Sequence, residues 1–174
     1  MPLKFSRKKR FYLLFFICIT SMFIIFLFSH MPYEEQDIKP FLRDKIDLSN
    51  VPIPSITFEY DGQVISSDSD PYGFIEFLFR KAGHVLGYCL LTLLLFFTIM
   101  QTKLKRAWVY ILSGALAIFY ALTDEWHQSF VPGRTGHWQD AIIIDGIGVI
   151  LGLLIGYIGT FLFKKRETKR MGPN

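Results

Sequence analysis

Four long apolar runs divide the chain, at residues 11–29, 82–100, 107–123 and 141–163. The first, FYLLFFICITSMFIIFLFS, carries no charge at all. The second continues from a shorter aromatic stretch, 74–79, interrupted by Arg80 and Lys81, and the fourth holds Asp145 near its start. A helix needs about 20 predominantly apolar residues to cross a hydrocarbon core of roughly 30 Å. The pattern therefore predicts four transmembrane helices.

Between the first two runs the pattern changes. SITFEYDGQVIS alternates β-prone residues around Asp61-Gly62, a strong short hairpin signal because both turn residues tolerate positive φ. KPFLRDKIDL, at 39–48, reads as a short helix with Phe41, Leu42, Lys45 and Ile46 loosely on one side. An isolated hairpin is marginal in water, so a small cap against the helix ends is expected, a disordered acidic loop being the alternative. The expected fold class is all-α: a four-helix membrane bundle with a small extracytoplasmic segment containing a β-hairpin. Its divisions are a basic tail at 1–10, a first span at 11–29, the extracytoplasmic segment at 30–73, a three-helix core at 74–163 and a tail at 164–174.

Composition agrees with the membrane class: 51% of residues are hydrophobic, and 18 are Phe. Cys18 and Cys89 both lie within apolar runs, so no disulfide framework is expected. The first run is longer than a signal-peptide core and lacks a small-residue cleavage pattern after it, which favours an uncleaved anchor. A pI near 9.1 raises nucleic acid as a partner, but the placement of the charges answers otherwise. Lys4, Arg7, Lys8, Lys9 and Arg10 precede the first run, Lys103, Lys105 and Arg106 separate the second from the third, and Lys164, Lys165, Arg166, Lys169 and Arg170 follow the fourth. Because Lys and Arg collect in short cytoplasmic loops, both termini are expected in the cytoplasm of a multi-pass cell-membrane protein, with no nucleic-acid partner.

Small residues recur at every fourth position: Gly83 and Gly87, then Ser113, Ala117 and Ala121, then Gly148, Gly152 and Gly156. Such stripes let helices approach closely in lipid. They imply tight contact among the last three spans, with the first more peripheral. The stripe of Gly148, Gly152 and Gly156 serves either this bundle or a homo-oligomer.

One polar stretch stands out, DEWHQSFVPGRTGHWQD at 124–140, between the third and fourth apolar runs. With the predicted topology, Lys81 and His84 on the second span, Asp124, Glu125 and Gln128 on the third, Arg134 in the loop, and Asp140 and Asp145 on the fourth all reach one level, the outer membrane boundary. Arg80, Lys81, Trp126 and Trp138 alone would suit interfacial anchors. His84, Asp124, Glu125, Gln128, Arg134 and Asp140 together exceed what anchoring requires. A carboxylate pair beside a histidine suits acid–base work, and Lys81 with Arg134 suits a phosphate or carboxylate. No Ser–His–Asp arrangement or G-x-S-x-G elbow occurs. DEWHQ lacks the two-histidine spacing of a metalloprotease helix, and nothing fixes a zinc geometry for His84, Asp124 and His127, so no metal or cofactor is expected. A proton-coupled transporter would need ionisable groups near mid-bilayer, which these spans lack.

RKAGHVLGY at 80–88, DEWHQSFVPGR at 124–134 and the D-x4-D-G-I-G-x3-G pattern from Asp140 resemble the VanZ family, named for a protein linked to teicoplanin resistance. All three blocks occur in order, and the resemblance extends to the hydrophobic layout. The matching positions are Lys81, His84, Tyr88, Asp124, Glu125, Gln128, Phe130, Pro132, Arg134, Asp145, Gly148 and Gly152. Two departures stand out. Asp145 occupies a position that is often Asn, and Asp140 lies five residues before it instead of four. The resemblance implies a multi-spanning membrane protein without supplying a reaction. Taken together, these features lead to an outward-facing site that recognises or modifies a lipid or lipid-linked envelope component. His84, Asp124 and Glu125 would orient the ligand or move protons, and Lys81, Tyr88, Gln128, Arg134, Asp140 and Asp145 would bind it. A non-catalytic shielding protein is the competing expectation.

Overall fold

A computed structural model of the chain describes residues 6–48, 51–60 and 62–171, with the side chains of 163 and 165–171 excepted. Its four long helices are α1 (Arg7–His30), α4 (Pro71–Ile99), α5 (Arg106–Gln128) and α6 (Trp138–Met171). Each is long and apolar enough to cross a membrane. Between α1 and α4 lie two short helices, α2 (Tyr33–Gln36) and α3 (Lys39–Lys45), and a hairpin of β1 (Thr57–Tyr60) and β2 (Gln63–Ser66). The chain is thus a multi-pass, mainly helical membrane protein with a two-stranded antiparallel sheet.

Helix α4 begins well before its apolar run. Pro71 starts α4, where Asp70 accepts a hydrogen bond from the Gly73 N–H at 3.0 Å. A side-chain acceptor of this kind satisfies one of the amide donors orphaned at a helix start. Arg80 and Lys81 therefore sit within the helix rather than ahead of it. At the other end of the fold, α6 continues without a break from the apolar run into the basic segment that follows.

Packing between α4 and α6 follows from glycine. A methyl group on Gly148 would run into the Val85 carbonyl oxygen and lie 3.1 Å from the Cys89 nitrogen. On Gly152 it would lie 2.7 Å from the Cys89 carbonyl oxygen, and on Gly156 2.9 Å from Phe96. This stripe is therefore filled by α4 of the same chain. Ser113, Ala117 and Ala121 on α5 are fully buried. Gly83 and Gly87 differ, because a Cβ at either position would meet nothing within 4 Å. Their stripe corrects the expectation of a tight contact, since it borders a cavity.

Helix α1 is mostly exposed to what would be lipid, with Cys18 and Ser29 buried. It is tied to the bundle at both ends and in the middle. Arg7 donates to the carbonyls of Met100 and Thr102, the Tyr120 hydroxyl donates to the Met22 carbonyl at 2.6 Å, and Ser29 reaches α5. The basic residues 7–10 thus lie beside the α4–α5 connection, at the end of the bundle away from the hairpin. A small core of Cys18, Tyr88, Leu91, Ala121 and Ala141 joins all four helices.

The hairpin pairs Phe58 with Ile65 and Tyr60 with Gln63. Asp61 lies outside the described residues, and Gly62 follows it with φ of 69°, in the left-handed region that glycine adopts without a steric cost. Phe58 and Tyr60 pack edge-on against Phe77 of α4 at centroid distances of 5.6 and 5.1 Å. This contact gives the marginal hairpin a surface to fold on.

Candidate functional site

The last turn of α5 carries Asp124, Glu125 and Gln128, each only 3–4% exposed. Spacing on the helix brings the Gln128 amide within 3.0 Å of Asp124 Oδ2, which also accepts from Ser29 of α1 at 2.8 Å. Glu125 turns to another side, where its Oε2 accepts from the His137 N–H at 2.9 Å. The loop can fold back this closely because residue 136 is glycine. A Cβ there would collide with the Glu125 carbonyl oxygen and lie 2.9 Å from the Ser129 nitrogen. Gly133, with φ of 71°, sets the preceding bend.

Helices α4 and α6 supply the facing groups. His84 Nδ1 lies 3.1 Å from Oδ1 of the fully buried Asp145. Three residues earlier, Lys81 Nζ lies 2.6 Å from Asp140 Oδ2 and donates to the Tyr60 hydroxyl at 2.8 Å. Asp140 and Asp145 thus both meet α4 despite their five-residue separation. Asp140, in the first turn of α6, donates its N–H to the His137 carbonyl at 2.8 Å, and the long lysine side chain reaches its carboxylate. Tyr88, one turn beyond His84, is buried with its ring centroid 6.4 Å from the imidazole.

The structure therefore gathers His84, Tyr88, Asp124, Glu125, Gln128 and Asp145 from three helices, with Lys81 and Asp140 paired alongside. Arg134 has a different setting. Its Nη1 donates to the Phe28 carbonyl at 3.0 Å and to Gln36 Oε1 at 3.2 Å, with the Ser29 and Met31 carbonyls each at 3.4 Å. A cation at a helix C-terminus complements the unpaired carbonyls and the helix dipole. Burial lowers the Arg134 pKa from its usual value, and the nearby Arg80 charge acts in the same sense.

His127 turns away from the cluster. Its Nε2 lies 3.2 Å from His30 Nδ1, and both rings pack on Phe26. The trio of His84, Asp124 and His127 is thus not assembled, whereas ligand atoms of His84, Glu125 and Asp145 lie within 4.8 Å of one another. Several contributors went unnoticed in the sequence: Ser29, Tyr33, Tyr60 and the buried Glu76, which accepts from Tyr33 at 3.0 Å. Only Glu76 left a signal, its four-residue spacing from Arg80.

Two cavities meet at this cluster. A polar one of about 290 Å³ is bordered by Lys81, His84, Glu125, Gln128, Arg134 and Asp140. An apolar one of about 800 Å³ runs between α1 and α4, past Ile17, Ile24, Gly83, Gly87 and Leu94, to Tyr88 and Asp124. Arg80, His84 and Arg134 border both.

The VanZ/LLP1 family model matches residues 12–162, nearly the whole chain. The chain belongs to the VanZ/LLP1 family. No curated protein and no solved structure matches it. In this VanZ/LLP1 protein the three sequence blocks correspond to one assembly: Lys81 through Tyr88 on α4, Asp124 through Arg134 on α5 and its loop, and Asp140 through Gly152 on α6.

Proposed function

We propose that this VanZ/LLP1 protein recognises an amphiphilic, anionic lipid or lipid-linked component of the cell envelope. The observation that carries this reading is the junction of an apolar groove with a polar cavity at Arg80, His84 and Arg134. From Gly83 to Leu94 the groove follows α4 for roughly 16 Å at 1.5 Å per residue. Glycine at 83 and 87 leaves room for hydrocarbon there. Because lipid tails are as apolar as the protein surface they leave, the groove contributes shape and van der Waals contact, and the head group supplies selectivity. Arg80 and Arg134 both line the junction, so a phosphate or carboxylate held there would meet two guanidinium groups. His84, Asp124 and Glu125 stand beside that position, where they orient the head group or exchange protons with it.

The basic residues at the opposite end of the bundle support an outward-facing site in the cytoplasmic membrane, with both termini inside. A protein that holds an envelope lipid there would alter what glycopeptides such as teicoplanin meet at the surface.

The test uses the full chain in nanodiscs of zwitterionic lipid, titrated with a fluorescent polyprenyl phosphate and, separately, a fluorescent phosphatidylglycerol. Saturable binding of either, weakened at least about tenfold by Arg80→Gln with Arg134→Gln, is the expected result. Equal, non-saturating partition into protein-containing and empty discs would overturn the reading. In cells, Glu125→Gln separates roles: a proton-transferring acid loses the teicoplanin phenotype outright, while a binding group retains part of it.

A further inference from the structure

We infer that His84, Glu125 and Asp145 form a binding site for one divalent metal ion of the zinc class. One nitrogen or carboxylate oxygen from each residue lies within 4.8 Å of those from the other two, so a central cation can reach all three with short side-chain movements. The residues come from α4, α5 and α6, and the glycine contacts hold α6 closely against α4. The donors are therefore carried on rigid elements.

A second observation points to a ligand. Asp145 has no exposed surface, its Oδ1 is engaged with His84, and its Oδ2 has no hydrogen-bond partner among the described residues. The neighbouring Tyr88 hydroxyl and Asp124 Oδ1 are buried and unpartnered as well. Buried polar groups are ordinarily satisfied, and a carboxylate without a partner inside a membrane protein is costly. Two buried carboxylates, Glu125 and Asp145, bring oxygens close to the imidazole of His84, while Lys81 is paired with Asp140 and Arg134 caps α1. A divalent cation supplies both the missing partner and the missing positive charge.

One imidazole and two carboxylates form a nitrogen–oxygen set that suits Zn²⁺ or Mn²⁺, and no thiolate is present to select a softer ion. Glu125 Oε2 is held by the His137 N–H, an outer contact of the type that orients metal-binding carboxylates. His84 and Glu125 border the polar cavity, so the remaining coordination positions face the space assigned to a head group. The metal site stands on its own donors and does not depend on the lipid reading.

The experiment is metal binding by the full chain in detergent, stripped with chelator and then titrated with Zn²⁺ and, separately, Co²⁺. One Zn²⁺ per chain is expected, with a visible Co²⁺ band from an ordered nitrogen–oxygen site. Glu125→Gln and Asp145→Asn preserve side-chain size and should each weaken Zn²⁺ binding by at least about tenfold. Glu34→Gln, on an exposed acid of α2, should bind like the parent. No stoichiometric binding by the parent overturns the inference, as does equal Zn²⁺ affinity in the Glu125 and Asp145 variants. Because the parent titration needs no variant, misfolding of a variant does not obscure the answer. The same preparation tested with the fluorescent lipids separates failure of the metal site from failure of the lipid reading.

Discussion

Nδ1 of His84 on α4 lies 3.1 Å from Oδ1 of Asp145 on α6, and Asp145 is fully enclosed. Removing this carboxylate leaves the imidazole without its partner and opens a small void. Asp145→Ala should cost about 1.5–3 kcal/mol of stability, the range for hydrogen bonds to charged groups, whereas Asp145→Asn should cost less because an amide oxygen still accepts. Reversible unfolding in mixed micelles checks the order; equal loss in both variants would contradict the pairing.

Glycine substitutions should divide by partner. Gly148→Ala drives a methyl group into the backbone of Val85 and Cys89, but Gly83→Ala meets nothing within 4 Å. The first should destabilise by about 1–3 kcal/mol through overpacking, while the second should be nearly neutral. Thermal melting of the two proteins in one detergent distinguishes them.

Larger residues on the open stripe address the cavity instead of the fold. Gly87→Leu should fill part of the α1–α4 groove and reduce lipid capture at least about tenfold while leaving the melting temperature close to that of the parent. Unchanged lipid binding with the same melting temperature would remove the groove from the proposed function.

Lys81 connects the hairpin to the helices through Tyr60 and Asp140. Replacing it with Met abandons two polar partners that are only partly accessible, at a cost of about 1–3 kcal/mol. The loss should fall on the hairpin first. Faster hydrogen exchange at residues 57–66 than in α5 is the expected signature, and uniform acceleration would argue against a local tether.

The sequence carried the features that repeat. Apolar runs marked the four long helices, Asp61-Gly62 marked the hairpin, and the spacing of Gly148, Gly152 and Gly156 marked a close helix contact. Helical spacing offered Asp124 either His127 or Gln128, and the structure pairs it with Gln128. Features depending on reach or on a single side chain were hidden. Ser29 looks like any small residue at the end of an apolar run, yet its hydroxyl meets Asp124. The direction of Arg134, toward the carbonyls of α1, depends on a loop path that no periodicity records. Gly83 and Gly87 obey the same spacing as the packed stripe, and only the arrangement of the other helices decides that they border a cavity.

The space beside Gly83 and Gly87 lies between two helices whose outer faces are apolar. A molecule occupying it would partition into the bilayer before it bound, so its occupancy would follow surface density rather than concentration in bulk solution. Two cells with the same total amount of such a molecule would then saturate the protein differently if their membrane areas differed.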